Sequence, residues 1–115
     1  MGLGVMTMLD VKAIVQPFVE RGLFDSPESA VSEMARDYVV RQVERYQRVI
    51  AAMEAKYGMS YSQFEAYLRS RADRLESSPE PSLNQAIMAE EEDALDWKIA
   101  RDMLHNWLGL QTQNT

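Results

Sequence analysis

Three groups of residues in this 115-residue chain have types and spacing that could do chemistry. Residues 90–93, Glu-Glu-Glu-Asp, are four consecutive carboxylates, the raw material of a divalent-cation site. On a helix, however, consecutive side chains fan out by about 100° each, so at most two of the four converge and a solvated acidic face is expected. His105, the single histidine, follows Asp102 by three residues. General acid–base work needs a second convergent group, and none is marked, so an ordinary surface or half-buried histidine is expected. The third group is cationic. Arg41, Arg45 and Arg48 share a helical face, with Arg36 a turn before, and are placed to meet phosphates. The same stretch also reads as i,i+4 pairs, Asp37–Arg41 and Glu44–Arg48, each worth ~0.2–0.5 kcal/mol, and that structural reading is preferred.

With no cysteine, no glycine-rich phosphate loop and no Ser–His–Asp spacing, the sequence marks no catalytic residue, metal ligand or cofactor site. The expectation is a binding protein and not an enzyme. The net charge of −6 is uneven: residues 1–57 hold seven basic against eight acidic side chains, and residues 58–115 hold five against ten. An acidic second half repels a phosphate backbone, so any contact with nucleic acid belongs to the first half. A chain of this length suits one domain, 1–115, divided into a half at 1–57 and a helical extension at 58–115. Neither a leader nor a membrane span is read in the sequence, and the lack of cysteine fits a reducing cytoplasmic setting.

The elements that must position these residues read as nearly all α. Residues 10–21 place Val11, Ile14, Val15, Phe18 and Val19 at helical spacing, with Asp10 as N-cap, Gly22 as the residue after the C-cap and Pro17 as a kink or a late start. In the following turn Phe24 plugs the corner, Ser26 caps the next helix and Pro27 takes its first position. From there to Tyr57 no glycine or proline intervenes, and Val31, Ala35, Val39, Val43, Tyr46, Ile50, Met53 and Tyr57 form one stripe that Gly58 stops. Such a helix is about 46 Å long, more than the ~35 Å diameter of a compact globule of this size, so it breaks or a second chain covers it. Ser60 with Gln63, and Ser82 with Gln85, are spaced as capping boxes of two further helices, separated by the loop 77–82. The last helix is expected over 83–108, ending before Gly109. Leu95, Ile99, Met103 and Trp107 make one apolar line on it, and Trp97, Ala100, Leu104 and Leu108 make a second, a width that implies burial on two sides. The eight methionines read as adaptable core filler.

The run FVERGLFDSPESAVSEMARDYV resembles the paired helices of ribbon-helix-helix proteins, above all the antitoxins of bacterial and archaeal toxin–antitoxin systems. Gly22, Phe24, Ser26, Ala30, Val31, Met34 and Ala35 carry the likeness, which spans about residues 9–40. The later stretches KYGMSYSQFEAYL and EEEDALDWKIARDML are similar to antitoxin C-terminal extensions. The resemblance implies an all-α homodimer with one short N-terminal strand at LGVMTML, residues 3–9, paired across the dimer. Its dimer core would hold Phe24, Val31, Met34, Ala35 and Tyr38. It also implies contact with duplex DNA through Thr7, Ser26, Arg36, Arg41, Arg45 and Arg48, and capture of a cognate toxin by the C-terminal part. Neither face of the expected strand offers Arg, Lys, Asn or Gln, the side chains that read base edges best. The function expected is therefore an antitoxin-like interaction module with weak autorepressor binding to DNA, the alternative being a helical adaptor or structural dimer with no nucleic-acid role. No membrane partner is expected.

Overall fold

A computed structural model of the chain describes residues 7–77 and 80–113. Four helices fill them: α1, Met8–Glu20; α2, Pro27–Tyr57; α3, Tyr61–Ser77; and α4, Pro81–Gln113. No strand occurs among the described residues, and none of their helices is long and apolar enough to cross a membrane. Residues 3–6 of the expected strand lie outside the described residues. Its remainder is a correction: Thr7 is the N-cap of α1 and Met8 and Leu9 are its first turn.

The α1 cap is a reciprocal box. The Asp10 amide donates to Thr7 Oγ1 at 3.2 Å, and the Thr7 amide donates back to the Asp10 carboxylate at 3.1 Å. Asp10 is thus the third residue of the helix rather than its cap. α1 runs through Pro17 instead of starting there, and its ladder lacks the bond that an amide at 17 would give to residue 13. At its end the Leu23 amide reaches Phe18 O (3.0 Å) and the Gly22 amide reaches Val19 O (2.9 Å), a Schellman arrangement with Gly22 at φ +75°. Ser26 Oγ then accepts from the Ser29 amide at 3.0 Å and Pro27 opens α2, as the turn residues dictate.

α2 is unbroken for 31 residues and stops at Gly58, φ +62°, after which Ser60 and Gln63 form their capping box. The second expected box does not form. Ser82 already lies inside α4, which Pro81 opens as first residue, with the Asn84 amide on Glu80 O. Nor does Gly109 end α4. The helix continues to Gln113, and Trp107 packs edge-on against Tyr38 at 5.6 Å, so contact with α2 outweighs the ~1 kcal/mol helix penalty of glycine.

α4 is the spine. It runs antiparallel to α2 and then to α3, as the successive meetings Tyr38–Trp107, Tyr57–Trp97 and Tyr67–Glu90 require. The core sits where the three helices meet. Trp97 is 1% and Phe64 0% exposed, and Tyr57, Tyr61 and Tyr67 ring them at centroid distances of 4.1–6.5 Å. Val39, Val43, Ile87 and Ala100 extend this core along α4, while Val15 and Ala30 are buried at the far end, where α1 lies against α2.

The product is a rod of 68 × 35 × 23 Å with a radius of gyration of 22.1 Å, against ~13 Å for a compact chain of this length. Its accessible surface is 8571 Å², where a compact monomer of 13.2 kDa would have ~6,400 Å².

Candidate interaction surfaces

Of the six residues expected to meet nucleic acid, Thr7 and Ser26 are committed to helix caps. The N-terminus of α2 also holds an internal anion. The Glu28 carboxylate lies 3.4 Å from Lys12 Nζ, and its own backbone N–H, then Lys12, hold its pKa below the ordinary 4.5. The position where a phosphate would meet the first amides of α2 is therefore occupied by a side chain of the same sign.

The arginines are all exposed, but they do not form one group. Because α2 is continuous, Arg36 lies about 140° round the helix from Arg41 and so stands apart from the other three. Arg41, Arg45 and Arg48 do share a face, and it looks away from the core, Arg41 and Arg45 each being two residues, about 160°, from buried Val43. Arg41 pairs with Asp37 as the spacing predicts, and Arg45 lies 5.3 Å from the Tyr46 ring centroid. Glu44 and Arg48, at the same spacing as the Asp37 pair, form no ion pair.

The five residues expected in a core are not in the core of the single chain. Phe24 and Met34 are half-buried, and Val31, Ala35 and Tyr38 are exposed. Along the α2 stripe Val39 and Val43 are buried and Tyr46, Ile50, Met53 and Tyr57 half-buried, whereas the first two members, Val31 and Ala35, are exposed. Around them the rod's end is apolar: Leu9, Ile14 and Leu23 are more than half exposed, and Phe18 and Val31 are each 40% exposed. Phe18 meets Phe24 edge-on at 6.4 Å. Val11, Pro27 and Val31 line a shallow depression of about 370 Å³ beside Lys12 and Glu28.

The acidic run divides in two. Glu90 accepts from Tyr67 Oη at 2.9 Å and from Arg71, whose nearer nitrogen is at 3.1 Å, whereas Asp93 accepts from Lys56 Nζ at 2.6 Å and from the Tyr57 hydroxyl. They bind α3 and α2 to the spine, which corrects the expectation that the whole run is solvated; Glu91 and Glu92 do face solvent. Among the described residues no group of three or more potential ligands is placed to hold a metal ion.

His105 is exposed and lines an open groove of about 630 Å³ between α2, α3 and α4. Lys98, Arg101, Asp102, Glu54 and Glu65 share it, and the Arg101 guanidinium sits 4.6 Å from the Tyr61 ring centroid. Charges of both signs thus line an open groove without a nucleophile paired to a base. No known family, curated protein or solved structure matches the chain.

The surface that sequence reasoning missed is the outer side of α4. Of its two apolar lines, Trp97 and Ala100 are buried, while Leu95 and Ile99 are 58% and 49% exposed and Met88, a turn or two earlier, is 60% exposed. The signal was in the double line itself. α2 and α3 pack against α4, and the first line divides between them and solvent: Trp107 meets Tyr38, whereas Leu95 and Ile99 are exposed.

Proposed function

We propose that this chain is a protein-interaction module of the antitoxin kind, which acts as a homodimer through α1 and the first turns of α2 and presents its acidic C-terminal half to a cognate partner such as a toxin. The observation that carries the reading is the bare end of the rod, where the α2 stripe continues as the exposed Val31 and Ala35 among the exposed Leu9, Ile14 and Leu23. Exposed apolar surface of this extent marks an association site in a water-soluble protein. Sedimentation at micromolar concentration should give the mass of two chains, and Leu23→Glu with Val31→Glu should give one. A wild-type monomer overturns the proposal.

One observation favours the version without nucleic acid, a helical adaptor or structural dimer: Glu28 and Lys12 fill the α2 N-terminus that would otherwise take a phosphate. The expected result of a mobility-shift titration against the upstream DNA, at low and at physiological salt, is no sequence-selective complex. A selective complex that steepens with falling salt and disappears when Arg41, Arg45 and Arg48 are reversed to glutamate would restore the autorepressor.

A further inference from the structure

On the outside of α4, Met88, Leu95 and Ile99 follow one another at steps of seven and four, so they form a line nearly parallel to the helix axis, about 17 Å long. Leu95 and Ile99 each lie two residues from Trp97, about 160° round the helix from the most buried side chain of this stretch. Glu91, Glu92 and Asp96 border the line; all three are exposed and none forms an ion pair or side-chain hydrogen bond among the described residues. The only basic residue from 88 to 99 is Lys98. Met88, Ala89, Glu91, Glu92 and Leu95 line a shallow depression of about 430 Å³ along this edge.

We propose that this seam is the docking face for a cationic amphipathic helix of a partner protein, with apolar residues at every third or fourth position and Lys or Arg beside them. The charge pattern selects that occupant. A second copy offering the same seam would set carboxylates against carboxylates, and anionic lipid or nucleic acid is repelled in the same way. An approaching helix of opposite sign removes Met88, Leu95 and Ile99 from water while its basic flanks meet Glu91, Glu92 and Asp96. Three turns of partner helix span the line. The seam lies away from the α1 end, so docking and dimerisation use separate surfaces.

The inference rests on the partner-binding part of the proposed function and deepens it with a place and a chemistry. The test titrates the full chain with a synthetic four-turn leucine–lysine helix and with its leucine–glutamate twin, followed by calorimetry, with sedimentation of the same samples. Saturable binding of the lysine peptide alone is expected, weakened at least tenfold by Leu95→Ser with Ile99→Ser, and at least tenfold by Glu91→Gln, Glu92→Gln and Asp96→Gln. These are surface changes, and circular dichroism checks that the helices persist. Equal binding of both peptides, insensitivity to either set of variants, or a drop in mass on Leu95→Ser with Ile99→Ser would overturn the seam. The two proposals fail separately: a dimer that ignores the peptide refutes the seam alone, and a monomer that binds it through the seam refutes the dimer alone.

Discussion

Asp93 is the residue on which two helices converge, since Lys56 and Tyr57 both donate to it from the end of α2. Lys56 first, and then the Tyr57 hydroxyl, hold its carboxyl below the ordinary aspartate value of 3.8. A depressed folded pKa contributes stability that is fully present above the unfolded value and is lost as pH falls through the folded one. The acid limb of a stability–pH curve should therefore flatten in Asp93→Asn, which should also cost about 1–2 kcal/mol near neutrality, Lys56 being mostly exposed. Tyr57 behaves in the opposite sense. Burial, and then the Asp93 carboxylate, push its hydroxyl well above the ordinary 10.0, and burial raises Tyr61 and Tyr67 as well. A raised pKa contributes stability below the unfolded value, so unfolding should set in as pH rises past about 10. Tyr57→Phe should shrink that alkaline loss, which denaturant titrations at stepped pH would measure.

At the scale of elements, the helix ends were legible because their causes are local. Gly22, Ser26 with Pro27, Gly58 and the Ser60–Gln63 box each need only three to five neighbouring residues, and each forms. A Cβ at Gly22 or Gly58 would meet nothing within 4 Å, so Gly58→Ala should cost only the left-handed backbone penalty, about 1–2 kcal/mol by chemical denaturation. Phe64→Ala should cost ~3–5 kcal/mol, because that ring is wholly enclosed by aromatic neighbours from three helices. The misreadings have the opposite character. Which members of the two apolar lines of α4 are buried, which carboxylates of 90–93 turn inward and whether Gly109 ends a helix all depend on where α2 and α3 lie, and no spacing within α4 encodes that. The capping role of Thr7 was legible in principle, since Thr7 and Asp10 have capping-box spacing, but the apolar run around it suggested a strand.

For the whole molecule, the rod form and the bare end make the same measurement informative twice. A dimer joined through α1 and the start of α2 joins two rods near one end of each, so its frictional coefficient should exceed that of a compact protein of equal mass, and small-angle scattering should give a long maximum dimension. Phe24→Ala is the discriminating variant: the ring is half-buried in one chain, so its removal should lower the dimer's stability more than the monomer's. An equal loss in both would place Phe24 outside the contact between chains. The two acidic seams of such a dimer stand far apart, and one partner helix should bind per chain without interference.

The central position of α4 also fixes an order in time. α2 and α3 leave the ribosome before the helix that covers them, and at ~5–20 residues per second the 33 residues of α4 take roughly 2–7 s to add. Throughout that interval Val39, Val43 and Phe64 lack the surface they are buried against in the finished fold. Synthesis therefore passes through a seconds-long stage in which a long apolar stripe is open to chaperones and to neighbouring nascent chains, and folding is completed only when the return helix arrives.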